Sequence, residues 1–165
     1  MAKKFVKNVT IENAHVLPGN FKNFSGEIDN WNPQGRRTFC IELDEETADA
    51  LHEEGWNVKE LAPRDDDPDG ISLPYIQATI RFDNIPPTIY MLTGRNNKKT
   101  LLTEDTIGNL DYVQIEYVDV ILSPYQWEMK TKTGVESGIK AYVKTMYVKV
   151  VEDELAAKYR DDEEE

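Results

Sequence analysis

The sequence predicts a mainly β fold, a small barrel with appendages, and three observations carry that prediction. Residues 111–151 read as two long strands folded back on each other: DYVQIEYVDVILSPYQWEMK, a turn through residues 131–138, then GIKAYVKTMYVKVV. Val113, Ile115, Tyr117 and Ile121 fall on one side of the first arm, and Ile139, Ala141 and Val143 on one side of the second. A period of two buries one face and leaves the other free. Short alternating runs punctuated by Pro, Gly and Asn recur along the chain, enough for roughly six to eight strands. Only one segment, DEETADALHEEG, has the spacing and end signals of a helix.

In chain order, residues 4–17 alternate weakly through Phe5, Val9 and Ile11, and Pro18-Gly19 turns the chain. Residues 20–32, NFKNFSGEIDNWN, are polar, and their rings Phe21, Phe24 and Trp31 read as surface groups. A turn at Asn32–Gly35 leads into the strand RRTFCIEL over residues 36–43, with Phe39, Ile41 and Leu43 inward. Asp44 caps the helix, acids fill its first turn where the dipole favours them, and Gly55 stops it. Ala48, Leu51 and His52 are expected on its sheet-facing side, and Trp56 suits either core or surface. After an acidic loop at 63–70 comes the strand YIQATIRF. Ile76, Ala78, Ile80 and Phe82 point inward, Tyr75, Gln77, Thr79 and Arg81 outward. Pro86-Pro87 breaks it; residues 88–93 form another strand, GRNNKK a basic turn, and residues 103–108 a short helical turn. The hairpin follows. Residues 152–160 could form a short helix, and the acids at 161–165 repel one another too strongly to pack. The division expected is one domain over 1–151 and an acidic tail over 152–165.

At 165 residues the chain is long enough for one real core. No apolar run is long enough to span a membrane, and the N-terminus lacks the apolar block of a signal peptide. The lone Cys40 rules out an internal disulfide and suits a reducing compartment, so a cytoplasmic setting is expected. The net charge is −12, but it is segregated. The tail 152–165 carries a net −6, residues 44–54 hold six acids and no Lys or Arg, and Asp65, Asp66, Asp67 and Asp69 add four more. Without those segments the chain has a surplus of four positive charges. That asymmetry suggests a basic working face with acidic appendages.

Catalytic and metal chemistry find little support. Asp65, Asp67, Asp69 and Gly70 open like a calcium loop, but Pro68 intrudes and Ile76 stands where a bidentate Glu is required. His15, His52 and Cys40 are too few and too scattered for zinc. No nucleophile elbow or phosphate-binding glycine loop occurs, and no cofactor or catalytic residue is assigned. Asp83 and Asp111 leave a two-metal nuclease as a third-ranked reading.

The basic and aromatic residues form the strongest pattern. The second arm places Lys140, Tyr142 and Lys144 on its free side, and the first ends in Tyr125, Trp127 and Lys130. Amines track phosphates and rings stack on bases, so such a sheet suits single-stranded nucleic acid. The candidate binding set adds Phe21, Lys22, Phe24, Trp31, Arg36, Arg37, Tyr75, Arg81 and Arg95, while Phe39, Tyr117 and Phe82 are assigned to the core. Lysines on a hairpin also serve solubility and block edge pairing, so the hairpin alone does not decide.

The order of segments carries a resemblance: FKNF, GRRTFCIEL, a helix, YIQATIRF, PTIYML, LLTEDTIGNLDYVQIEYVDVILSPYQW, GIKAYVKTMYVKV and an acidic end. It resembles the single-stranded DNA-binding proteins of tailed bacteriophages. That resemblance implies an OB-fold-like five-stranded barrel with extra strands, the helix after the 36–43 strand, the long C-terminal hairpin and the acidic tail. It further implies a factor that coats and protects single-stranded DNA in the host cytoplasm during phage replication or recombination, without chemistry. The family's tail often ends in an aromatic or apolar residue that docks replication partners; this chain ends in Glu165, so a tail contact would work through charge. Replication or recombination proteins are the expected tail partners, and a homodimer is compatible with the pattern. The alternative is an acidic phage interaction protein or DNA mimic that presents its acids to a host protein.

Overall fold

The computed structural model describes residues 6–17, 21–61, 72–83 and 85–151. The strands are β1 (Val9–Ala14), β2 (Lys22–Asn23), β3 (Arg37–Glu42), β4 (Val58–Leu61), β5 (Leu73–Ile80), β6 (Thr88–Thr93), β7 (Lys98–Leu102), β8 (Ile115–Thr131) and β9 (Gly134–Val150). One helix, α1 (Glu45–Glu54), follows β3, and a 3₁₀ helix spans Ile107–Tyr112. Asp44 caps α1 by accepting from the Thr47 amide, and Gly55 ends it in the left-handed region at φ +102°, as the sequence predicts.

All nine strands belong to one mixed sheet ordered β1-β8-β9-β5-β3-β2, with β4 on β5 and the β6–β7 hairpin on β9. Just past β1 the Leu17 amide donates to Cys40 O and the Glu42 amide to His15 O, both at 2.9 Å. This bridge, with Val16 opposite Ile41, brings β1 against β3. The β1 edge thereby curls round to β3, giving a circuit of five strands, β1-β8-β9-β5-β3, with β5 and β9 parallel. That is the OB-fold-like barrel with extra strands.

The core fills this circuit from every stave: Ala14 of β1, Phe39 and Ile41 of β3, Ile76, Ala78 and Ile80 of β5, Val118, Val120 and Leu122 of β8, and Ile139, Ala141, Val143, Met146, Val148 and Val150 of β9. Trp56, ambiguous in the sequence, is 2 % exposed and seals one end over Ile139. His52 is exposed, and β4 is a strand that the sequence pattern did not single out.

The hairpin departs from the expected phase. The buried residues of its first arm are Val118, Val120 and Leu122, opposite in parity to Tyr117 and Ile121. A bulge in β8 explains this, and a second, in β9, shifts the other arm. Ile115 faces Val150 while Tyr117 faces Lys149, leaving Glu116 unpaired; Ile121 faces Thr145 while Leu122 faces Val143, leaving Lys144 unpaired. Each extra residue swaps inside for outside. Tyr117 is therefore half-buried on the outer side rather than core, and Phe82 is half-buried against the core edge. The turn is also tighter than expected: Thr131 pairs with Gly134, so Lys132 and Thr133 alone make the reversal. The Pro18-Gly19 turn, the 63–70 loop with its calcium-like aspartates, and the 152–165 tail lie outside the described residues.

Candidate nucleic-acid interface

The pairing registers assemble one outer face from four strands. Thr79 lies beside both Thr38 and Tyr142, Tyr125 faces Lys140, and Trp127 faces Gly138. Side chains two apart share a side, so Arg36 and Thr38, Thr79 and Arg81, Lys140 and Tyr142, and Tyr125 and Trp127 crowd the same surface. Two clefts run across it. The first, about 340 Å³, is polar and lined by Arg36, Arg37, Arg81, Lys140 and Tyr142 together with Gln34, Asp83 and Glu104. The second, about 350 Å³, takes in Arg81, Tyr125, Tyr142 and Lys144 and the loop residues Ile85, Pro86 and Pro87. Arg81 and Tyr142 line both clefts.

The cations are positioned by neighbours. Arg81 sits 5.8 Å over the Tyr142 ring and donates to both oxygens of Asp83 at 3.0 and 2.9 Å. Those bonds raise the guanidinium pKa and lower that of the Asp83 carboxyl. Arg37 lies 5.5 Å over Phe82 and pairs with Glu104 at 3.8 Å, and its Nε is buried without a hydrogen-bond partner. Both ion pairs have an exposed carboxylate, so they hold the arginines in place at little energetic cost to exchange.

The rings differ in how they are held. Tyr125 meets Tyr142 edge to face at 5.6 Å. Trp127 rests on Gly138: a Cβ there would stand 2.9 Å from its Cζ2, and its Nε1 is buried without a partner. Gly138 needs no unusual φ, so the indole is what its missing side chain accommodates. Trp31 is 95 % exposed, in a turn closed by the bridge between Asp29 and Asn32. That turn is also tied by side chains: Asp29 accepts from the Trp31 and Asn32 amides at 2.8 Å, and the Asn32 side chain bridges Glu27 O and Arg36 O. Gly26 and Gly35, at φ +71° and +66°, approach so closely that a Cβ on Gly26 would meet Gly35 O at 2.8 Å. Gly35 also lines the first cleft.

Other expected members do not join the face. Phe24 is 0 % exposed and stacked on Phe39 at 4.9 Å, so it belongs to the core. Its amide and that of Ser25 donate to Asp111 at 2.7 and 2.9 Å, which draws the segment inward. Lys22 is half-buried, with Nζ donating to Leu110 O and Val113 O; burial lowers its pKa and Asp111 partly opposes this. It clamps the 3₁₀ helix to the segment before β3. Phe21 and Tyr75 pair edge to face at 5.9 Å, and burial raises the Tyr75 hydroxyl pKa. Lys130 is exposed near the hairpin tip, on the opposite side of the ribbon from Trp127. Arg95 sits in the β6–β7 turn and lines neither cleft. Asp83 and Asp111, the carboxylates of the nuclease reading, are held by Arg81 and by backbone amides in separate places. Burial pushes the Cys40 thiol up to about 11, and among the described residues no helix is long and apolar enough to cross a membrane.

Fold and face together define a small β-barrel protein with a cationic, ring-bearing outer surface. The family described as "Putative phage ssDNA-binding domain" matches residues 1–164, and the chain belongs to it. Among solved structures, the C-terminally truncated single-stranded DNA-binding protein of bacteriophage Enc34 is similar, with a TM-score of 0.50 at 11 % identity. That alignment covers 88 % of this chain and 87 % of the other. The Enc34 protein without the truncation gives 0.50 at 10 % identity, over 88 % and 82 % of the two chains. At such identities these structures share the fold. No curated protein sequence matches the chain.

Proposed function

We propose that this chain binds single-stranded DNA without regard to base sequence and coats it during phage replication or recombination in the host cell. One observation carries the reading: two adjoining clefts share Arg81 and Tyr142, the first adding Arg36, Arg37 and Lys140 and the second Tyr125 and Lys144. Phosphates exchange with the exposed carboxylates Asp83 and Glu104 on the arginines, and bases stack on the rings. Trp31 and Trp127 extend the stacking surface at either side, and Lys144 extends the charge. The family and the OB-fold-like circuit support the reading, since OB-folds bind oligonucleotides across the corresponding strands. Binding and release involve no bond-making, so no catalytic residue is assigned. Residues 152–165 act as a separate acidic tail, competing for the face when DNA is absent and recruiting replication proteins by charge.

The test is titration of tryptophan fluorescence with oligothymidine at several salt concentrations, using the full chain and a chain ending at Val151. Quenching and a steep salt dependence are expected, stronger without the tail. A chain ending at Val151 that shows no quenching at low salt would overturn the reading. A full chain that ignores DNA but captures a basic host protein would favour the DNA mimic, whose support is the exposed acids of α1.

A further inference from the structure

The two clefts on the outer face differ in chemistry, and the difference assigns them different parts of a nucleotide. The first is walled by arginine, lysine and carboxylate, as suits phosphate. The second is walled largely by carbon: Ile85, Pro86 and Pro87 from the β5–β6 connection, Tyr125 and Tyr142 from the hairpin. We propose that this second cleft is a base pocket, receiving one unstacked nucleobase while the first holds a neighbouring phosphate. The inference rests on the reading that a single strand lies on this face.

Four features commit the pocket to a nucleobase. Its volume, about 350 Å³, suits one small planar group. Tyr125 and Tyr142 stand at 90°, so a ring stacked on one meets the edge of the other. Ile85 is 84 % exposed beside two prolines, an apolar wall left open among the described residues. Finally, Arg81 and Tyr142 are shared with the polar cleft, and Lys144 lines the pocket, so a chain crossing from one to the other keeps its phosphates near cations. Pro86 and Pro87 lack a backbone N–H, so that side of the pocket offers a base carbon contact, while Asn8 and Ser123 supply polar side chains elsewhere in the lining. Stacking on the two rings accepts any base. The pocket does discriminate against duplex, whose bases would have to unpair and leave the stack to reach it.

Ile85→Ser tests this, because the residue is a surface side chain and the change carries no charge. Binding of wild type and I85S is measured by anisotropy on oligothymidine and on an abasic deoxyribose-phosphate chain of equal length. The expected result is a loss of about fivefold on oligothymidine, the effect of one or two buried methylenes. On the abasic chain the expected change is less than about twofold, with the salt slope unaltered on both, since no phosphate contact is removed. Equal losses on both ligands, or no loss on oligothymidine while the wild type still binds it, would overturn the pocket and leave the DNA-binding face standing. A wild type that fails to bind oligothymidine at low salt would overturn both.

Discussion

The tripeptide Tyr-Val-Lys occurs twice in β9, at residues 142–144 and 147–149, and the two copies meet different neighbours. Tyr147 stacks in register on Tyr90 at 5.6 Å, with Lys99 over it at 5.6 Å, and Lys149 donates to Gly94 O and Asn97 Oδ1. Rings and ammonium there satisfy one another, and neither Tyr147 nor Lys149 lines a cleft. Tyr142 meets Tyr125 edge to face, under an arginine whose partner is an exposed carboxylate, between two clefts. Ring and cation content is the same in both copies. What sets the first apart is its place between two clefts and the exposed carboxylate on its arginine, and on the proposed reading those are the marks of the binding surface.

The largest expected effect separates the two copies directly. Tyr142→Ala should weaken oligothymidine binding tenfold or more, since a stacked base is worth roughly 1–3 kcal/mol. Tyr147→Ala should leave affinity within about twofold but lower stability by about 1 kcal/mol through loss of the ring pair. Anisotropy titrations and thermal melts read both, and equal affinity losses would erase the distinction. A second change sharpens the working copy. Gly138→Ala displaces Trp127 and should cut affinity by about fivefold while altering tryptophan emission. In a Trp127→Ala background the same change should be neutral, or stabilise by up to about 1 kcal/mol, because only the indole excludes the methyl group. A smaller effect tests the exchangeable counter-charge: Glu104→Gln should tighten binding by about twofold and steepen the salt slope by up to about one unit. The smallest touches neither surface. The Asp44 carboxyl is held below its ordinary pKa by the Thr47 amide, so the stability it adds is present above the unfolded carboxyl pKa. It is lost as pH falls through the lower folded value. Melts of wild type and Asp44→Asn between about pH 2 and 6 should therefore converge at the acid end, with DNA affinity at neutral pH unchanged.

Much of the fold was legible because its signals are local. The β3 and β5 alternations, the Asp44 cap, the Gly55 stop and the Pro86-Pro87 break stand where short-range pattern puts them. The hairpin was legible as an element and not in phase, since a bulge leaves no mark on the residues beside it. Phe24 and Lys22 were misplaced for a different reason. Their surroundings in sequence are polar, and what buries them is Asp111 and the 3₁₀ helix, far along the chain. Of the candidate site, the Lys-Tyr-Lys run and Arg81 were readable from alternation, and Arg36 and Arg37 from their place at the start of a strand. The carboxylates that hold the arginines and the second cleft's proline wall were not, because they depend on which loops meet. Gly138 was within reach: a glycine inside a strand with no turn to make signals close approach by something else.

One unpaired residue has a long reach. Before Lys144 the odd-numbered positions of β9 are interior, and after it the even-numbered ones are. Remove that single codon and the arithmetic reverses: Met146, Val148 and Val150 would be turned to water, while Tyr147 and Lys149 would be driven into the oil. A deletion of one exposed lysine would then be as ruinous as several substitutions in the interior.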